Sequence, residues 1–422
     1  MPYREVVARE RSSVPLTAEE YRHLESHEDF WCLVDTGVMS LERSASRRFG
    51  LKAYGFVGQA FVGDRLLRIE EKIRGALASM LSEAAEIEAR IASPPAFADR
   101  SGYVVHQIAE RFLDGVSQYV TAGRQKRYRR DSFEAGLPRG KVDLGRTMRL
   151  RAHGRNDLLA FSADVLTADH PLNRLLGLGL NAADAICASW PDAAEFRLRA
   201  RTLAVLFEDV AWPQIAPWRH DRLDDAFQAI MGGTETPAVL VTTLSLARLL
   251  VLHFGVGPRF EEHAPVSWFV NLETLFEDAV RGALRQVAQS PVKVTDWKPY
   301  RRHVLTEPSR EAFRAEPDMV VSAASGPVAV LDAKYKDVED GAKPSPQDVY
   351  QLLAHARAFG VSASVLVYPG SDFAMWPVGD TPEGHRLFAA RVSLTDLASS
   401  ARALISALSP ASANVASEAL AG

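Results

Sequence analysis

Pro317-Asp318-Met319-Val320-Val321, the small turn Ser322-Ala323-Ala324-Ser325-Gly326-Pro327, and Val328-Ala329-Val330-Leu331-Asp332-Ala333-Lys334-Tyr335 decide the reading of this 422-residue chain. The β-branched runs on either side of a Gly/Pro-punctuated turn predict a strand pair. Side chains alternate faces along a strand, so Val328, Val330, Asp332 and Lys334 share one face, and Ala329, Leu331, Ala333 and Tyr335 share the other. The run before Asp332 is apolar on both faces, as in a central strand covered on each side. A carboxylate and an ammonium emerging from such a strand are partly desolvated, which is costly unless each finds a partner.

Working outward, Ser345 is an N-cap with Pro346 at the first helical position and Asp348 in the first turn. Val349, Leu352, Leu353, Ala356 and Phe359 form an apolar stripe that Gly360 ends. Ala363-Ser364-Val365-Leu366-Val367-Tyr368 follows as another buried strand, closed by Pro369-Gly370. Strand, turn, strand, helix, strand is an α/β unit with a crossover. Upstream, Leu272, Leu275, Phe276, Ala279 and Val280 stand at helical spacing. Glu277 borders that stripe and is a further candidate acid, with a solvated helix edge as the alternative; Glu273 and Asp278 are expected to face solvent.

This residue set suits phosphodiester hydrolysis, which needs charge neutralised at phosphorus and a nucleophile made from water near neutral pH. A hard cation held by carboxylates does both. Asp318 and Asp332 are the candidate Mg²⁺ ligands, with the Ala333 carbonyl and Glu277 as further ligands. Lys334 orients the water or stabilises transition-state charge. Gln351 is either ordinary helix surface or holds the lysine, the water or DNA. A plain surface ion pair is the alternative for Asp332 and Lys334.

The run Leu275-Phe276-Glu277-Asp278, Pro317-Asp318, Asp332-Ala333-Lys334-Tyr335 and Tyr350-Gln351-Leu352-Leu353 resembles the McrC subunit of McrBC-type modification-dependent restriction systems, within the PD-(D/E)xK nuclease superfamily. Gly140-Lys141-Val142-Asp143, Thr147, Arg155, Phe161 to Leu166, Asp169 and Asn173-Arg174-Leu175-Leu176 are similar to the family's central segment. Tyr54 to Gly58 and Leu66 to Ile73 resemble its β-rich N-terminal part, although Glu71-Lys72 stands where many members carry Pro-Lys. The resemblance covers roughly residues 50 to 400. It implies an α+β multidomain protein: a β-rich N-terminal domain (1–95) that docks on a partner, a mainly helical middle region (96–258), a C-terminal α/β restriction-endonuclease-like domain (259–405) and a flexible tail (406–422). It also implies a Mg²⁺-dependent endodeoxyribonuclease subunit acting on methylated double-stranded DNA with a separate McrB-like AAA+ GTPase, which binds the GTP. A non-cleaving adaptor with a vestigial nuclease fold and a motor-independent repair nuclease are the alternatives. Consistently, no Gly-x-x-x-x-Gly-Lys-Ser/Thr occurs in the chain.

Composition narrows the class further. Hydrophobic residues make up 47% and charged residues 24% of the chain, values typical of globular proteins. The net charge of -4 gives no global attraction to DNA, so a binding surface has to be local. Between Arg124 and Arg155 eleven Lys or Arg face three acids, a surplus suited to phosphates, to an acidic partner or to a solvated loop. Two cysteines, Cys32 and Cys187, form neither a disulfide framework nor a zinc spacing, and the first residues lack a signal peptide's apolar stretch, so a cytoplasmic location is expected. Ala238 to Phe254, interrupted by Arg248 and His253, reads as a buried helix rather than a membrane span. Phe56 to Val62 and Arg65 to Ile69 form a hairpin around Gly63-Asp64, followed by a helix over Glu70 to Ala89. Ser93-Pro94-Pro95 is a domain boundary.

Overall fold

The computed structural model describes residues 4–43, 49–73, 75–84, 100–187, 194–210, 220–232, 236, 238–252, 268–305, 313–339 and 341–408. The Ser93–Pro95 boundary and the tail beyond Leu408 lie outside them. The N-terminal part contains β1 (Arg4–Arg9), β2 (Ser13–Leu16), α1 (Ala18–Ser26), α2 (Glu28–Asp35), β3 (Met39–Arg43), β4 (Phe49–Ala53), β5 (Phe56–Val62), β6 (Arg65–Glu70) and α3 (Ala76–Ala84). Next come α4 (Arg100–Ala122), β7 (Arg127–Ala135), β8 (Lys141–Val142), α5 (Leu144–Ala152), β9 (Leu159–Thr167), α6 (Pro171–Cys187), α7 (Ala194–Val205), α8 (His220–Met231) and α9 (Ala238–Leu252). The C-terminal part holds β10 (Trp268–Asn271), α10 (Leu272–Val287), β11 (Lys293–Thr295), β12 (Met319–Ala323), β13 (Gly326–Ala333) and α11 (Pro346–Phe359). It ends with β14 (Ala363–Gly370), β15 (Ala374–Asp380), β16 (Arg386–Ser393) and α12 (Leu397–Leu408). This is a mixed α/β, multidomain architecture.

At the N-terminus, β5 and β6 pair antiparallel through Gly63, whose φ of 59° a Cβ would strain. A Cβ there would also meet the His27 ring at 2.7 Å. The sheet order is β1-β6-β5-β10, so a strand some two hundred residues downstream completes it. The helix expected over Glu70 to Ala89 begins only at Ala76. Gly75 adopts φ 82°, and the Glu71 carboxylate accepts the N–H groups of Gly75 and Leu77 at 2.7 and 2.9 Å, which starts the helix there.

The middle region is helical as expected, but it also carries a three-stranded sheet, β7-β9-β8. Nine residues of β7 pair with nine of β9, although β7 is solvent-facing on both sides, with Tyr128 73% exposed. At its root Asn173 is fully buried. Its amide donates to the carbonyls of Gln125 and Ala168, and its oxygen accepts the Tyr119 hydroxyl at 2.7 Å. The buried Asp169 accepts from Arg129 at 2.8 Å and from Arg174 at 2.6 Å.

The C-terminal sheet runs β11-β12-β13-β14-β16-β15, with β13, β14 and β16 parallel and α11 as the crossover between β13 and β14. Strand alternation divides its core in two. Ala329, Leu331, Ala333 and Tyr335 join a large core shared with α10, α12 and the helical middle region. Val330 packs on the opposite side with Leu352, Phe359, Leu366 and Tyr368. Ser345 caps α11 by accepting the Asp348 N–H at 3.2 Å, and Gly360 ends it at φ 67°. No helix among the described residues is long and apolar enough to cross a membrane.

Candidate active site

Antiparallel pairing sets the first two acids. Met319 lies opposite Leu331, so Asp318 and Asp332 follow at the same end of the hairpin. Asp318 Oδ2 accepts the backbone N–H of Ala333 at 2.7 Å, tying the two strands together. Asp332 is 1% exposed and its Oδ2 lies 2.5 Å from Lys334 Nζ, yet no donor is aligned on that oxygen for a hydrogen bond. The Lys334 N–H donates to the Val367 carbonyl at 2.8 Å, keeping the strand end on β14.

Glu277 enters from α10. Asn271 caps that helix by accepting the Glu273 N–H at 2.9 Å, and the buried stripe of Leu272, Leu275, Phe276, Ala279 and Val280 sets the rotation that leaves Glu277 beside the strand ends. Burial pushes its carboxyl up to about 7; the charge of Arg281 opposes the rise, the Asp278 and Asp332 carboxylates add to it, and Lys334 opposes it. Asp318 is held well above the usual carboxylate range, first by desolvation and then by Asp332 and Glu277. For Lys334, desolvation disfavours the ammonium, but Asp332, Asp318 and Asp348 outweigh it and its pKa rises. Three acids and one lysine therefore sense one another's charge at the end of β13.

Asp278 departs from the solvent-facing position expected of it. Its carboxylate is nearly enclosed, taking Arg248 Nη2 at 2.6 Å and Arg281 Nη1 at 2.9 Å. Arg281 also donates to the Asp318 carbonyl at 3.2 Å, so this network buttresses the acid hairpin. Glu273 is exposed as expected and pairs with Arg11 at 2.6 Å.

On α11, Gln351 is exposed, and its Oε1 stands 3.5 Å from Lys334 Nζ, a long contact. Tyr350 points into solvent. Two polar side chains that sequence reasoning did not single out line the same face. His355, one turn beyond Gln351, is buried with Nδ1 unpartnered; desolvation lowers its pKa, Asp332 acts against that and Lys334 adds to it. Tyr368 at the end of β14 has a buried, unpartnered hydroxyl, raised in pKa by desolvation and then by Asp348 and Asp332. The spacing of His355 four residues after Gln351 was the available signal.

The donor set suits a hard cation in kind: it consists of buried carboxyls whose mutual repulsion a cation would relieve, with the Lys334 ammonium paired to Asp332 Oδ2. Among the described residues, however, no three His, Cys, Asp or Glu side chains stand close enough to enclose an ion. The Ala333 N–H is taken up by Asp318 Oδ2, which leaves its carbonyl as the candidate ligand at this position.

The basic stretch resolves into β7, β8 and α5. Arg124 pairs with Asp209 at 2.8 Å, Arg129 with Asp131 and Asp169, Arg146 with Glu134 at 2.7 Å, Arg155 with Asp157 at 3.3 Å and Arg130 with Asp164 at 3.9 Å. Four acids outside the stretch, Asp157, Asp164, Asp169 and Asp209, thus offset part of its positive surplus.

The fold and site define a multidomain α/β protein with a buried carboxylate–lysine cluster at the end of a sheet. The chain belongs to the McrBC 5-methylcytosine restriction system component family, whose model matches residues 51–369. Two similar solved structures are from Thermococcus gammatolerans. One is a half-complex from a tetradecameric assembly of McrB AAA+ hexamers with bound McrC, at 18% identity and a TM-score of 0.45, covering 96% of this chain and 100% of that one. The other is the McrBC complex, at 17% identity and a TM-score of 0.40, covering 68% and 88%. No curated protein matches.

Proposed function

We propose that this chain is the nuclease subunit of a modification-dependent restriction complex, a PD-(D/E)xK enzyme that hydrolyses phosphodiester bonds of methylated double-stranded DNA with Mg²⁺. The observation that carries this reading is the meeting of Glu277, Asp318, Asp332 and Lys334 at the end of β13, within a chain of the McrBC family. Asp318 and Asp332 would hold the cation, with Glu277 near enough to feel their charge and water or phosphate oxygens completing its shell. The cation would supply Lewis-acid neutralisation of phosphoryl charge and an acidified water. Lys334 places a positive charge where the phosphoryl oxygens become more negative, and Gln351 stands near its ammonium. Glu277, with a carboxyl pushed to about 7, can accept or release a proton near neutral pH. Family membership supports a McrB-like AAA+ GTPase as the partner that binds GTP and recognises modified cytosine.

A second reading, a non-cleaving adaptor for the AAA+ partner, has one observation behind it: the absence of a closed three-donor group among the described residues. One experiment separates the two. The protein is mixed with its McrB-like partner, GTP, Mg²⁺ and cytosine-methylated DNA, and wild type is compared with Asp332→Ala and Lys334→Ala. Cleavage by wild type alone is expected. Equal cleavage by all three overturns the site, and no cleavage with undiminished stimulation of GTP hydrolysis favours the adaptor.

A further inference from the structure

Immediately after Lys334 the chain grips three separate parts of the molecule in consecutive residues. The Tyr335 hydroxyl donates to Glu10 Oε1 at 3.0 Å, and Glu10 directly follows β1. Lys336 turns the other way and pairs with Asp348, in the first turn of α11, at 2.9 Å. Asp337 returns to the first side and forms an ion pair with Lys72, just past β6. The ends of two neighbouring N-terminal strands are therefore fastened to the segment that carries Lys334, with Glu10, Arg11, Lys72, Tyr335 and Asp337 lining a cleft between the two sheets.

The Tyr335–Glu10 bond is the centre of this fastening. Glu10 is 4% exposed; Oε1 also accepts the Lys72 N–H at 3.0 Å, while Oε2 is buried without a partner. Enclosing a half-satisfied carboxyl is costly, and an apolar pair of similar volume would pack there at least as well. What the polar pair adds is one fixed geometry. The ring of Tyr335 is held just as specifically. The Arg11 guanidinium lies 5.4 Å from its centroid, and Phe276, the residue before Glu277, meets it edge-on at 5.6 Å. Tyr335 thus touches the N-terminal sheet, the helix of Glu277 and, through its own backbone, Lys334.

We infer that Glu10 and Tyr335 are positioning residues: through their hydrogen bond the N-terminal sheet sets where Lys334 stands relative to Asp318 and Asp332, so the seating of that sheet governs the cleavage rate. This rests on the nuclease reading above. The backbone gives the leverage, because Lys336 N–H donates to the Lys334 carbonyl at 2.8 Å and leaves little slack between the anchors and the lysine. A partner that shifts the N-terminal sheet would move the lysine through this link.

The test uses the full chain with its ring partner, GTP, Mg²⁺ and methylated DNA, and compares wild type, Asp332→Ala, Tyr335→Phe, Glu10→Ala, Glu10→Gln and the Glu10→Ala/Tyr335→Phe double variant. Tyr335→Phe and Glu10→Ala should each lower kcat about tenfold, since small misplacements carry large rate penalties, with KM for DNA within about twofold. The double variant should lose no more than either single change, because both break one link. Glu10→Gln, whose amide oxygen still accepts from Tyr335, should recover most of the rate. Wild-type kcat in both single variants, or multiplicative losses in the double, overturns the proposal. If wild type and Asp332→Ala cleave equally or not at all, the nuclease reading has failed instead. The link is then read by hydrogen exchange: the amides of Lys334 to Asp337 should exchange about tenfold faster in Glu10→Ala, with Val365 to Val367 unchanged. Unchanged exchange at Lys334 to Asp337 overturns the link as well.

Discussion

Glu277→Gln should stabilise the protein in alkaline solution while abolishing cleavage. Folding raises the Glu277 carboxyl from an ordinary 4.5 to about 7, chiefly by burial. Between those values the folded protein keeps a proton that the unfolded chain releases, so stability is complete below about pH 4.5 and falls as pH rises through 7. At about 1.4 kcal/mol per pKa unit the full loss is about 3.5 kcal/mol, an upper figure because Glu277 and the neighbouring Asp318 raise each other's proton affinity. Glutamine cannot ionise and lacks this loss. Thermal midpoints measured in EDTA from pH 5 to pH 8.5 should therefore diverge, with the variant higher by several degrees at the alkaline end. Mg²⁺ should narrow the gap by rescuing the ionised wild type. Parallel pH profiles for the two proteins would refute the argument, because they would mean that Glu277 ionises as freely in the fold as in the open chain.

Asp332→Ala and Lys334→Ala should each reduce Mg²⁺-dependent cleavage by about 10³-fold or more in a nicking assay, since each removes a fixed charge at the reacting phosphate. Arg248→Met removes one guanidinium partner of the nearly enclosed Asp278 and should cost roughly 3 kcal/mol in chemical denaturation, whereas loss of an exposed pair such as Arg4–Glu19 should cost under about 1 kcal/mol. Asn173→Ala removes a fully buried amide that fastens the entry to β7 and the exit from β9 at the root of the ribbon. It should lower stability by about 2–4 kcal/mol and raise proteolytic cutting within residues 127–167.

The C-terminal unit was legible because its signals are local. The alternation from Val328 to Tyr335 sorted residues into the two cores that flank β13, and Ser345, Pro346 and Gly360 delimit α11 as their capping chemistry dictates. What stayed hidden depends on parts of the chain distant in sequence. Asp278 lies at the margin of its helix's apolar stripe, and it is enclosed by guanidinium groups from Arg281 on its own helix and from Arg248, which reaches across from α9. Tyr368 and His355 become neighbours of Asp332 only once β14 and α11 are laid against β13. The β7–β9 ribbon has no apolar alternation to read, because neither face of β7 is buried and a nine-residue ladder of backbone hydrogen bonds carries the pairing.

The late arrival of β10 has a consequence for how the protein is made and how it can be divided. As the chain leaves the ribosome, β1, β6 and β5 are available early, but β5 stays an open hydrogen-bonding edge until residues 268–271 emerge, many seconds later at ordinary synthesis rates. A fragment ending near residue 258 would keep that edge permanently and should self-associate. A fragment beginning at residue 272 would lose both the strand and the Asn271 cap at the start of the helix that carries Glu277. Any split into independently folding halves has to carry Trp268 to Asn271 as a duplicated segment.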